Sequence, residues 1–481
     1  MKRNLLPLFL FCYLFLKAQT PCENGLAGNY PCHNYDLMSS IPISTLANSS
    51  GTPEGSDIWG WTDPLTSKEY ALVCTTNSTA FVDITDPINP VFLGRLDSEN
   101  GKTNTWRDVK IYEDHAYIVA DEVGNHGMQV FDLTRLRNIT SPQNFTSDAV
   151  FSDVGSCHNI VINENSAVAY LVGCDTYDGG PVFVDISDPK NPVSIGVGGY
   201  SIAGYSHDAQ VVTYNGPDSD YTGREIYIGS NGDKVSILDV TDKDNIIKIK
   251  DVYYSQIGYT HQGWFTEDQR FFILGDEFDE FLFGFDSRTI VFDMQDLDDP
   301  FQSSTYLGPT DAIDHNGYVK GNEYFLANYS AGLRVLDISN IASSTNSMTE
   351  VGFFDTYIDD DRTTFNGLWS VYPFFKSGNI IISDKEGGLF IVRKSGTLHT
   401  DSYQNSLGFN LYPNPTTEST TIELTLDKKI KNIDIYDILG KKVLNETNIN
   451  QQKKKVDLSQ LSSGVYLLKV NQQFSKKLII H

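Results

Sequence analysis

The chain has 481 residues, with 62 acidic and 36 basic side chains for a net charge of −26, and 27 Phe and 26 Tyr. Residues 1–18 carry +3 and residues 401–481 carry 11 Lys against 8 acids, which leaves −32 on residues 19–400. Such a body repels nucleic acid and anionic membrane and attracts cations, so nucleic-acid binding is the first function excluded.

Lys2 and Arg3 precede a short apolar run, Leu5 to Leu16, that ends at Ala18-Gln19. This is the pattern of a secretory signal peptide over residues 1–18. The run is too short to span a bilayer, and no later stretch of the sequence is long and apolar enough to do so. In the oxidising compartment this implies, Cys22–Cys32 is expected to close a small N-terminal loop. Cys157–Cys174 is expected to link neighbouring strands, with Cys74 left as a buried thiol.

From residue 57 onward the chain rewrites one sentence. AFVDITDPINPVFLG (Ala80 to Gly94) returns as MQVFDLTRLRN (Met128 to Asn138), PVFVDISDPKNPVSIG (Pro181 to Gly196) and VSILDVTDKDNIIKI (Val235 to Ile249). It returns again as TIVFDMQDLDDP (Thr289 to Pro300), LRVLDISN (Leu333 to Asn340) and GLFIVRKS (Gly388 to Ser395). Alternating apolar residues predict a strand in each copy, and the Asp/Asn-Pro pairs predict a turn into an outer strand. The strand-end positions are Asp83, Asp132, Asp185, Asp239, Asp293, Asp337 and Arg393, spaced by 49, 53, 54, 54, 44 and 56 residues. A repeat of this length holding several short strands is the signature of propeller blades, and seven copies predict seven blades. The seventh copy lacks an outer partner. Asp36 to Ile43, in a lead-in over residues 19–56, is expected to supply it and join the two ends of the ring.

Four consecutive blades open on a histidine, as SHDAQVV does at His207; the others are His158, His261 and His315. Arg107-Asp108 and Phe365-Asn366 hold that position in the flanking copies. If these openings line a channel, the histidines form an arc near acids that end the second strands, namely Asp175, Asp276 and Glu277. Asp208 follows His207 directly. Imidazoles with carboxylates suit a divalent transition metal, and a metal-bound water would give hydrolysis. The alternative is that each histidine bonds a neighbouring blade and locks the ring. Asp218, Asp220 and Glu225 lie in a Gly-bounded loop, carboxylates that could wrap Ca²⁺ though without the full EF-hand pattern, the alternative being an ordinary solvated hairpin loop. His126 is read as a satisfied surface residue. Trp59, Trp61, Trp264 and Trp369 are read as fillers between blades. The sequence carries no G-x-S-x-G elbow, and no catalytic residue is assigned.

After a polar linker (residues 399–406), residues 407–481 break into strands and turns that predict a small β-sandwich. YPNP (Tyr412 to Pro415), IYDILGKKV, LSSGVYLLKV and the final KKLII resemble the C-terminal sorting domain of the type IX secretion system of Bacteroidetes. That resemblance implies recognition by the type IX machinery and export to the cell surface or beyond. WGWTDP, FVDITDP, WRDVK, HGMQVFDL, THQGWFTEDQRFFILGDE and ANYSAGLRVLDIS resemble the choice-of-anchor B family of LVIVD-repeat proteins. This implies a secreted propeller over residues 57–398. The expected fold is all-β: a seven-bladed propeller, then the sandwich. The expected function is a surface or secreted scaffold for a protein, glycan or cation. The alternative is a metal-dependent, hydrolase-like enzyme using the histidine arc.

Overall fold

The computed structural model describes residues 19–48, 51–396, 409–424, 429–437, 440–471 and 474–481. The signal peptide and the linker expected from the sequence lie outside them. The chain divides into two compact units at residues 397/398.

The first unit is all-β apart from a few short helical turns. Among the described residues its strands form seven sheets, antiparallel except for one parallel pairing in the first. The first runs Gly55–Thr62, Glu69–Thr75, Ser78–Asp83 and Val91–Asp97; the fourth runs Asp208–Thr213, Glu225–Ser230, Val235–Asp239 and Ile247–Val252. The seventh begins with Leu368–Tyr372, Ile380–Asp384 and Gly388–Lys394, and its fourth strand is Tyr35–Ile41 from the N-terminus, paired antiparallel from Tyr35↔Lys394 to Ile41↔Leu389. The first strand of each sheet packs against the first strand of the next, and that of the seventh packs against that of the first.

The recurring aspartate has one local job. The Oδ1 atoms of Asp83, Asp132, Asp185, Asp239, Asp293 and Asp337 each accept the backbone N–H two residues on, from Thr85, Thr134, Ser187, Thr241, Gln295 and Ser339. This Asx turn ends the third strand of each of the first six sheets. In the seventh sheet Arg393 instead donates to Asn379 Oδ1.

The apolar faces of the third strands meet between sheets. Phe81 stacks on Phe131 of the second sheet with centroids 4.6 Å apart, both fully buried. Burying such a ring contributes about 1.5–3 kcal/mol.

The second sheet departs from the simple repeat. After Met128–Asp132 comes a 3₁₀ turn, Leu133–Leu136, rather than an outer strand. Gln143–Phe145 then crosses to pair in parallel with Val91–Asp97 of the first sheet, and only Ala149–Phe151 returns to its own. The lead-in hairpin Leu26–Ala27 and Tyr30–His33 likewise extends the sixth sheet through Thr349–Phe354. Both disulfides form as expected, Cys22–Cys32 and Cys157–Cys174, and Cys74 is a buried thiol.

The second unit holds a three-stranded sheet (Phe409–Tyr412, Ser419–Leu424, Lys453–Asp457) and a four-stranded one (Ile430–Tyr436, Lys442–Gln451, Gly464–Val470, Phe474–Ile480). Ile422, Val456, Ile433, Ile435 and Leu468 are among its fully buried core.

Candidate functional site

The openings of six consecutive sheets deliver an arc of rings. His158, His207 and His315 stand just before the first strands Asn159–Asn163, Asp208–Thr213 and Gly317–Lys320. Their own N–H groups bond Val172, Ser230 and Ala327 carbonyls of the same sheets. His261 lies inside Thr260–Phe265, where a register shift between Thr260 and Gln262 marks a bulge. A bulge re-aims a side chain that strand alternation would otherwise turn away. The imidazoles then lie side by side, with centroid separations of 4.2 Å (His158–His207), 4.3 Å (His207–His261) and 4.3 Å (His261–His315). Trp106 continues the arc beyond His158 at 6.0 Å, and Trp369 continues it beyond His315 at 4.8 Å.

Hydrogen bonds assign the ring nitrogens. His315 Nδ1 is 2.5 Å from the Trp369 carbonyl and His207 Nδ1 is 3.2 Å from the His261 carbonyl, each in the next sheet. A carbonyl only accepts, so both Nδ1 atoms carry the proton and both Nε2 atoms keep a lone pair. His158 Nδ1 meets Asp121 Oδ2 at 2.9 Å. His261 Nδ1 is buried with no hydrogen-bond partner. Glu277 lies between two of the rings, 3.8 Å from His261 Nε2 and 3.7 Å from His315 Nε2, and its Oε1 accepts from Tyr329 Oη at 2.9 Å. The donor atoms of His261, His315 and Glu277 all lie within 4.8 Å of one another.

Burial sets the charge state. It pushes the His315 imidazole down to about 3 and holds His207 and His261 well below the usual histidine range, where the neighbouring imidazoles add to the effect. Burial also raises the Glu277 carboxyl to about 7, against the Tyr329 hydrogen bond. His207, His261 and His315 are therefore neutral at neutral pH, and Glu277 is poised to exchange its proton for a cation.

All of this lines a cavity of about 570 Å³. Of its fifteen lining side chains eleven are aromatic or imidazole rings, the rest are Asp121, Glu122, Glu277 and Lys385, and none is aliphatic. Beneath the histidines the residues that follow them, Asn159, Asp208, Gln262 and Asn316, form a buried polar layer together with Asp108.

The other candidates lie elsewhere. Asp208 belongs to that deeper layer, where the fields of Lys110, Asp108 and Asp57 act on it, because adjacent strand residues point opposite ways. Asp276 is saturated by Gly258 N, Tyr259 N, Phe278 N and Tyr254 Oη, so it anchors a loop rather than a ligand. Asp175 is exposed and accepts from Gly155 N. Glu225 is enclosed by Asn163, Ser166, Tyr170 and Lys243, away from Asp218 and Asp220. Asp220 is exposed, and Asp218 instead approaches Asp296 and Asp298, with both its oxygens already accepting backbone N–H groups.

Three sequence expectations are corrected. Trp369, not Phe365, holds the opening position of the seventh sheet and receives the His315 bond. Trp369 also lines the cavity instead of filling space between sheets. His126 is 1 % exposed, not a surface residue. Sequence reasoning did not assign Glu122, Tyr329 or Lys385 to the site. Together with Glu277, each is the residue one or two places past the end of a second strand, a register visible in the repeat.

Residues 410–481 match the secretion system C-terminal sorting domain. This sorting domain implies recognition by the type IX secretion machinery and export to the cell surface or extracellular space. Among the described residues no helix is long and apolar enough to cross a membrane. No curated protein matches the chain. Similar solved structures include a protein from Lactobacillus plantarum, 12 % identical with TM-score 0.44, covering 84 % of this chain and 99 % of that one. YCF48 bound to D1 peptide is 12 % identical with TM-score 0.47, covering 76 % and 97 %. A protein from Desulfotomaculum acetoxidans is 14 % identical with TM-score 0.42, covering 69 % and 89 %.

Proposed function

We propose that the chain is an exported seven-bladed β-propeller, closed by Tyr35–Ile41, that serves as an extracytoplasmic scaffold and holds one divalent transition-metal ion with His261, His315 and Glu277. The cyclic packing of seven first strands supports the ring. The repeated strand sentence supports membership of the choice-of-anchor B family, and Met1 to Ala18 supports entry by a signal peptide. The carrying observation is the convergence of two imidazoles and one carboxylate, all within 4.8 Å, on a cavity wall. Ligands at ~2.1 Å in a tetrahedral array sit about 3.4 Å apart; His261 Nε2 lies 3.8 Å from Glu277 Oε2 and His315 Nε2 lies 3.7 Å from Oε1, so a turn of the carboxylate that brings one oxygen to both imidazoles would close the set.

The latch and ligand readings of the histidines are compatible. Nδ1 of His315 serves the neighbouring sheet while Nε2 is left for the ion, the arrangement that orients metal-bound imidazoles generally.

The test is elemental analysis of the mature chain, made without a histidine tag and dialysed against metal-free buffer, then titrated with Zn²⁺. One equivalent bound, and lost in His261→Ala and Glu277→Gln, is the expected result. No binding by the intact chain, or binding unchanged in both variants, overturns it.

A further inference from the structure

Only three protein donors converge on the site among the described residues, and a three-ligand site leaves a coordination position for a water or a substrate. That position would face the cavity, because the remaining sides of the group are packed. His261 and His315 are 1 % and 3 % exposed, and the polar layer of Gln262 and Asn316 lies behind them.

The cavity's composition says what would enter. Its wall is rings and charges with no aliphatic side chain. Apolar pockets for aliphatic or lipid ligands are built from Leu, Ile and Val; here every uncharged surface is a flat face or edge. Trp106, Tyr205 and Phe365 stand at the rim, 38–40 % exposed, while Tyr329 and Trp369 are buried at the base. Exposed rings at the rim and buried rings at the base form a slot in which a planar ligand finds offset or edge contacts at each depth. Lys385 Nζ lies 5.9 Å from the Trp369 ring centre, and its charge reaches both His315 and Glu277. Glu54 lies 3.9 Å from Lys385 Nζ, so a bound divalent ion is the strongest positive charge facing the slot, and at its open position it would attract a donor of single negative charge.

Resting on the metal reading above, we infer that the ion keeps one position open and that the cavity delivers to it a flat aromatic ligand bearing one oxygen donor, an aromatic carboxylate or a phenol. The Asp121–His158 pair is on the same wall, two rings from His261, placed to bond a second polar group of that ligand.

Cobalt(II) makes this testable, since its visible absorption reports the coordination sphere. The mature chain is loaded with one equivalent of Co²⁺ and titrated with azide, then with benzoate and acetate. The expected result is a saturable shift with azide and binding of benzoate about 10-fold tighter than acetate. Trp106→Ala and Tyr205→Ala should bring that ratio towards unity and leave the azide response intact. Failure to take up Co²⁺ overturns the metal reading itself. Uptake with a spectrum unmoved by azide overturns the open position alone. Equal binding of benzoate and acetate, or a ratio unchanged in both variants, overturns the aromatic ligand alone.

Discussion

His315 donates through Nδ1 to the Trp369 carbonyl at 2.5 Å, and that bond decides which nitrogen faces Glu277, 3.7 Å away. One side chain thus holds two sheets together and presents a lone pair. Asparagine separates the two roles, because its amide N–H sits near the Nδ1 position and nothing replaces Nε2. His315→Ala should lose about 1–3 kcal/mol of metal-free stability together with Zn²⁺ binding. His315→Asn should keep most of the stability and lose the binding. Urea unfolding and zinc titration of both variants check this, and Zn²⁺ binding retained by His315→Asn would rule out the ligand role.

His126 offers a pH signature remote from the metal ligands. Burial, with Arg107 nearby, pushes its imidazole down to about 4, against a hydrogen bond from Nδ1 to the Gly127 carbonyl. A folded value below the unfolded one means the unfolded chain binds the proton first. Stability is therefore full above the ordinary histidine value and falls as pH drops towards 4, by on the order of 3 kcal/mol. His126→Gln should flatten that part of the profile, read as the difference between wild type and variant in urea midpoints at pH 7 and pH 4.5. Parallel profiles would contradict it.

Cys157–Cys174 spans 17 residues and brackets the first hairpin of the third sheet, with His158 next in the chain. Constraining a loop of that length contributes about 3 kcal/mol. The double Cys→Ala variant should lose that much, and reductant should destabilise the wild type by that amount more than it destabilises the variant, which keeps Cys22–Cys32.

The N-terminal strand is expected to be indispensable. Leu46, just after it, is fully buried among residues of the first and seventh sheets, so Leu46→Ala should cost about 2–5 kcal/mol. Deleting residues 19–46 leaves Gly388–Lys394 with an open edge, which invites pairing with other chains. Size-exclusion chromatography should show aggregates, and a monodisperse, cooperatively unfolding product would count against closure by this strand.

Removing residues 410–481 should abolish export without unfolding the first unit, since the two units have separate cores. Cell fractionation should find the truncated chain inside the outer membrane, and its appearance outside would show that another signal suffices.

The sequence alone determined what depends on near neighbours. Strand alternation, the 44–56-residue period and the turn after each third strand are all local, and the Asp that repeats proved to be an Asx-turn residue bonding two positions along its own chain. The two disulfides and the four matching histidines were legible for the same reason, as was the sorting tail. Only the tertiary structure decided which side chains meet. Asp208, Asp276 and Glu277 looked equivalent as acids near the arc. The turn of the strand sent Asp208 to a deeper layer, loop N–H groups consumed Asp276, and Glu277 alone reached His261 and His315. The bulge at His261 and the crossing strand Gln143–Phe145 were likewise hidden: the first breaks the alternation within its own hairpin, and the second pairs with residues 94–96, 49 positions earlier in the chain. A repeat specifies the register within each sheet. The curvature that brings six sheet openings to one cavity comes from how the sheets pack, and that curvature makes the site.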